Sequence, residues 1–135
     1  MAVTDVGNRT VKETFGTTSP VTGSAPTIDD ATDGLPLSGD ETASATLVAP
    51  SGQTLSGAGT LNCYVYDQTV GLWARCTAGD VTTIPSGSRA FASEAVGVSQ
   101  GRSSRIKWIP AGVTFSGGGS AGVEVYMLAS KGGAR

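Results

Sequence analysis

The stretch Leu61-Asn62-Cys63-Tyr64-Val65-Tyr66-Asp67-Gln68-Thr69-Val70-Gly71-Leu72-Trp73-Ala74-Arg75-Cys76 decides the fold. Leu61, Cys63 and Val65 alternate with Asn62, Tyr64 and Tyr66, and Leu72 to Cys76 alternates again, which is the period of a strand. The residues between fit a hairpin loop with Gly71 in the left-handed position such loops need near their end. Pairing Asp67 with Leu72 sets Tyr66 opposite Trp73, Tyr64 opposite Arg75 and Cys63 opposite Cys76. One face then gathers Tyr64, Tyr66, Trp73 and Arg75, and the other Leu61, Cys63, Val65, Leu72, Ala74 and Cys76. Both faces are apolar enough to be covered, as in a sandwich.

Further strands follow on either side. Thr42 to Ala49 is small and β-branched and stops at Pro50-Ser51-Gly52; Val81 to Ile84 ends at Pro85; Arg89 to Ser99 carries Phe91, Val96 and Val98. Arg105 to Ile109 alternates up to Pro110, a brief Val113-Thr114-Phe115 follows, and Ala121 to Leu128 closes the series. Many short strands between turn signals predict an all-β fold, an antiparallel, jelly-roll-like β-sandwich over residues 41–130 with a frayed tail over 131–135. Residues 1–40 read as an extended N-terminal arm and linker, because Ser, Thr, Gly, Pro and Asp recur there without apolar alternation. Two readings of the arm stand: a disordered tail, or a segment ordered against a neighbouring subunit through Val3, Val6, Val11 and Phe15.

Composition narrows the chemistry. Half of the 135 residues are Gly, Ala, Ser or Thr, and charged residues make up 15% against roughly 25% in soluble chains. His is absent, which removes His-based nucleophile systems, an imidazole base and His-containing zinc sites. No catalytic residue, cofactor or metal site is expected. Gly97-Val98-Ser99-Gln100-Gly101 matches a nucleophile elbow by letter but lacks the base. Gly57-Ala58-Gly59 reads as a turn. Asp29, Asp33, Gly34 and Asp40 fall on calcium-loop positions, but Ala31 stands where a ligand is needed, so a solvated acidic linker is expected. Cys63 and Cys76 allow a cross-strand disulfide or a pair of buried thiols, the latter favoured in a cytosolic product. The aromatic face of the hairpin is either covered, the favoured reading, or an exposed platform for sugars or a partner protein.

Net charge is −2, with −6 in residues 1–67 and +4 in residues 68–135, a split that suits contact with copies of itself or with another protein. Nucleic acid is not an expected partner. Arg102, Arg105 and Lys107 form the one basic cluster and read as a solvated strand edge at least as readily as a phosphate-binding patch. Nor is a membrane expected: no run of about 18 apolar residues occurs, and the N-terminus lacks the basic and apolar regions of a signal peptide.

Several stretches resemble a known group. These are Thr54-Leu55-Ser56-Gly57-Ala58-Gly59-Thr60-Leu61, Tyr64-Val65-Tyr66-Asp67, Gly71-Leu72-Trp73-Ala74-Arg75, Arg105-Ile106, Pro110-Ala111-Gly112-Val113-Thr114 and Val123-Glu124-Val125-Tyr126. Over residues 33–129 they look like the small β-sandwich structural proteins of tailed-bacteriophage virions, including capsid decoration (cement) proteins and minor head or tail proteins. The resemblance implies a non-enzymatic homotrimer, assembled in the host cytoplasm, that docks on the major capsid protein at the virion surface and stabilises the shell. The alternative is a carbohydrate-binding or host-adhesion module of a head fibre or tail, which would expose the aromatic hairpin. A hydrolase with paired carboxylates is the weakest candidate, because Asp67, Asp80, Glu94 and Glu124 fall at turns or alone on strands.

Overall fold

Each long strand is set by its own alternation. In Glu41–Val48 the side chains of Ala43, Ala45 and Leu47 are buried and those between them reach toward the surface; Thr60–Asp67 does the same with Leu61, Cys63 and Val65 inside. The computed structural model describes residues 3–7, 9–38, 41–97, 103–117 and 122–131. Among them lie nine strands: β1 (Thr4–Gly7), β2 (Thr10–Thr14), β3 (Leu35–Pro36), β4 (Glu41–Val48), β5 (Thr60–Asp67), β6 (Leu72–Arg75), β7 (Ala90–Ala92), β8 (Ser103–Ala111) and β9 (Glu124–Lys131). They form two antiparallel sheets, ordered β1-β2-β9-β4-β7 and β3-β8-β5-β6. The fold is thus the all-β antiparallel sandwich expected. Trp108, Leu47, Leu61, Ile106, Val125 and Met127 are fully buried, and each such side chain contributes roughly 1.5–3 kcal/mol. The Trp108 indole N–H is satisfied by the carbonyl of Gly79 at 2.8 Å.

The β5–β6 hairpin has the register read from its sequence: Tyr64 with Arg75, Val65 with Ala74, Tyr66 with Trp73 and Asp67 with Leu72. Gly71 sits at φ +72°, and its N–H donates to the Asp67 carbonyl at 2.8 Å. A side chain at that φ would be strained.

The extended arm is corrected. β2 runs antiparallel along β9, β1 pairs with β2, and Val11 and Phe15 belong to the core. Val3 packs against that core, and Val6 lies on β1 with its side chain outside the described residues. At the turn between the two strands Arg9, at φ 63°, binds the Glu41 carboxylate and the Pro36 carbonyl, fastening this edge to β4 and β3. The sequence hid β2 because Glu13 stands between Val11 and Phe15 on the inward face, where an apolar residue was looked for.

Three expected strands are shorter or absent. Val81 to Ile84 makes only a bridge from Val81 to Leu61; Arg89 to Ser99 yields β7 and a bridge from Val96 to Ala43; Val113 and Phe115 bridge singly to Val21 and Leu55. Pro85 and the scattered glycines interrupt these segments: Val81 exchanges two backbone bonds with Leu61, as Val113 does with Val21, while β7 keeps a three-residue ladder on β4. Val98, Ser99 and Gln100, Arg102, Asp40 and the tail beyond Lys131 lie outside the described residues.

Candidate functional site

Of the aromatic face of the hairpin, Trp73 lies under a cover made by residues 27–34. The backbone N–H of Trp73 donates to the Ile28 carbonyl at 2.7 Å, and its indole N–H to the Asp30 carbonyl at 2.6 Å. An Asx turn shapes the cover: Asp30 Oδ1 accepts from the Thr32 N–H at 2.9 Å and from its hydroxyl at 2.6 Å. Those bonds hold the Asp30 carboxyl below its ordinary pKa. From the other side Arg105 donates to the Asp33 carbonyl at 2.5 Å and the Thr32 carbonyl at 3.1 Å, and burial lowers its pKa. Gly34, at φ +75°, passes so close to β8 that a Cβ would stand 2.6 Å from the Ile106 carbonyl oxygen.

Trp73 is consequently only 6% exposed, with its ring edge-on to Tyr66 at a centroid distance of 5.8 Å. Tyr64 and Tyr66 are half-buried, and Arg75 is exposed. Arg75 lies over the Tyr64 ring at 5.3 Å and pairs with Asp80 at 2.5 Å, a hydrogen bond that raises the guanidinium pKa. The second Asp80 oxygen accepts the Cys63 N–H at 2.7 Å. The four residues are therefore together on one face, but what covers Trp73 is a loop of the same chain and not an opposing sheet.

Cys63 and Cys76 are free thiols joined through the backbone, with the Cys76 N–H donating to the Cys63 carbonyl at 2.9 Å. Burial, chiefly, pushes the Cys63 thiol pKa far up, so it packs as a small apolar side chain and not as a nucleophile.

The reading of Lys107 as part of a solvated edge is corrected, as is the solvated acidic linker around Asp33. Lys107 is fully buried, with its ammonium 2.7 Å from Asp33 Oδ2 and 2.7 Å from Glu13 Oε1. Arg105, two residues away, is half-buried. Neither acid was a sequence candidate as a Lys partner. The available signal was Lys107 itself, set between Ile106 and Trp108 in an apolar strand where a lone charge needs a buried counterion.

A further groove of about 450 Å³ is lined by Phe15, Ala49, Pro50, Arg89 and Glu124 among others. Its charges are already engaged: Arg89 donates to the Ala49 carbonyl at 3.1 Å, and Glu124 meets Lys12 at 3.3 Å and the Tyr126 hydroxyl at 3.4 Å. Comparison of the chain with protein-family models, with curated proteins and with solved structures finds no match.

Proposed function

We propose that the protein is a non-enzymatic structural component of a tailed-bacteriophage virion, a trimeric decoration protein that docks on the major capsid protein and reinforces the shell. The observation that carries this reading is where apolar surface is left. Among the described residues the exposed large apolar side chains are Ile28 (60%), Val70 (62%), Leu72 (39%) and Leu128 (43%). Val70 and Leu72 belong to the β5–β6 hairpin, and Ile28 to the cover hydrogen-bonded to it through Trp73. Exposed apolar side chains on this hairpin and its cover suit a protein surface as partner, while Leu128 stands on β9 of the other sheet. The sugar-binding alternative is less well supported, because Trp73, the best stacking ring, is closed beneath residues 27–34.

Co-sedimentation of the purified protein with undecorated phage shells tests the reading. Val70→Asp and Leu72→Asp should lose shell binding at unchanged melting temperature; full occupancy by both variants rejects the hairpin as the docking surface. Mass spectrometry of particles from the source that lacks the protein rejects the virion role itself.

A further inference from the structure

Lys107, Asp33 and Glu13 come from three distant parts of the chain: β8, the segment ahead of β3, and β2. Their side chains are 0%, 0% and 2% exposed, and the ammonium touches one oxygen of each carboxyl at 2.7 Å. Asp33 is fixed in place, since its Oδ1 accepts the Gly34 N–H at 2.8 Å while Oδ2 accepts from Lys107. Glu13 is held less well. Its Oε1 meets the ammonium away from hydrogen-bond geometry and its Oε2 has no partner. Desolvation accordingly raises the Glu13 pKa, with Lys107 opposing in part.

A buried cluster of one amine and two carboxyls is a poor device for stability alone, because desolvation of its charged members is repaid only when every oxygen is satisfied. This one leaves a carboxyl oxygen open beside an amine and a second carboxyl. We propose that Lys107 and Asp33 condense spontaneously into an intramolecular isopeptide bond, with Glu13 carrying the protons.

The step balances without any co-reactant. In the dry site the ammonium gives a proton to the Asp33 carboxylate, leaving an amine beside a carboxylic acid and a protonated Glu13. The amine lone pair attacks Asp33 Cγ, one bond beyond the oxygen it already touches. Glu13 donates its proton to the Asp33 carbonyl oxygen through one oxygen and takes a proton from the attacking nitrogen through the other. The second hydroxyl now on Cγ passes its proton to the first, the Cγ–O bond breaks, and water leaves. Counted from the ammonium and the carboxylate, one N–C bond and two O–H bonds form, one C–O bond and two N–H bonds break, no electrons are transferred, and Glu13 returns to its protonated form. Fixed contact supplies the rate, since oriented intramolecular partners reach effective concentrations of roughly 10⁵–10⁸ M. The product ties together two positions 74 residues apart, locking the cover over the hairpin to β8.

Intact-mass spectrometry of the denatured full chain tests this directly. The expected mass is that of the sequence less one water, and digestion should give one branched peptide joining the segments that hold Asp33 and Lys107. Asp33→Asn should form the same bond with loss of ammonia. Glu13→Gln should slow formation by roughly 100-fold or more, as expected on removing a general acid-base group. A succinimide at Asp33-Gly34 would also lose water, and Lys107→Arg separates the two: a deficit that persists in Lys107→Arg overturns the proposal. So does full sequence mass in wild-type protein that is folded by NMR and has been incubated for days at neutral pH.

Discussion

The indole N–H of Trp73 donates to the carbonyl of Asp30 at 2.6 Å, so the cover over the hairpin is anchored at its middle by the ring it hides. Trp73→Phe keeps most of the apolar contact and removes that bond, and should cost about 0.5–1.5 kcal/mol in urea denaturation. Trp73→Ala also opens a cavity and should cost about 3–5 kcal/mol. In both variants amide exchange should rise first in residues 27–34. Unchanged exchange there would mean that the backbone bond to Ile28 and the contacts of Arg105 and Lys107 hold the cover without the indole.

Gly79 packs against the Cys63 thiol. A Cβ at Gly79 would stand 2.6 Å from Cys63 Sγ and 3.0 Å from its Cβ. Gly79→Ala should therefore destabilise by about 1–3 kcal/mol through overpacking. Cys63→Ala removes the clashing sulfur, so the double variant should be more stable than the sum of the single losses predicts. A double-mutant cycle in urea measures this, and strict additivity refutes the contact.

The register of the β5–β6 hairpin was legible from Tyr64 to Arg75, because alternation, a turn glycine and a fixed loop length all lie within one local window, but β6 stops before Cys76 and leaves Leu72 and Ala74 exposed. Strand β9 and the body of β4 were legible for the same reason. What stayed hidden was everything specified at long range. Glu13 interrupts the apolar pattern of β2, and only Lys107, far along the chain, explains why a carboxyl can face inward. Asp33 reads as one more acid of a polar linker until Lys107 is beside it. Likewise nothing in Ile28 to Gly34 announces that its carbonyls will meet Trp73 and Arg105. Local patterns report a residue's own strand, and the cover and the triad are contacts between elements.

Phe15 distinguishes a sheet strand from a free arm. It is 9% exposed, its N–H donates to the Val123 carbonyl at 2.7 Å, and it belongs to the common core. Phe15→Ala should cost about 3–5 kcal/mol, and removal of residues 1–15 should leave β9 with an uncovered edge and abolish cooperative unfolding. A loose arm would instead tolerate either change within about 0.5 kcal/mol. Thermal denaturation of the two variants in the absence of any partner decides between them.

Glu13 sets the sign of one pH dependence. Its pKa is raised in the folded state, mainly by burial, above the value of about 4.3 in an unfolded chain. Between those two values the native state keeps a proton that the unfolded state has released. The Glu13 contribution is thus greatest below the unfolded pKa and is lost as pH rises through the folded one. Asp30, whose pKa is lowered, contributes in the opposite sense, on acidification. The test is accordingly the difference between wild type and Glu13→Gln in unfolding free energy from pH 4 upward. Wild type should lose stability relative to the variant as pH rises, whatever constant offset separates them, because an offset leaves the slope unchanged. Parallel profiles would mean that Glu13 ionises as easily in the folded chain as in the unfolded one, and would refute the desolvation of its carboxyl.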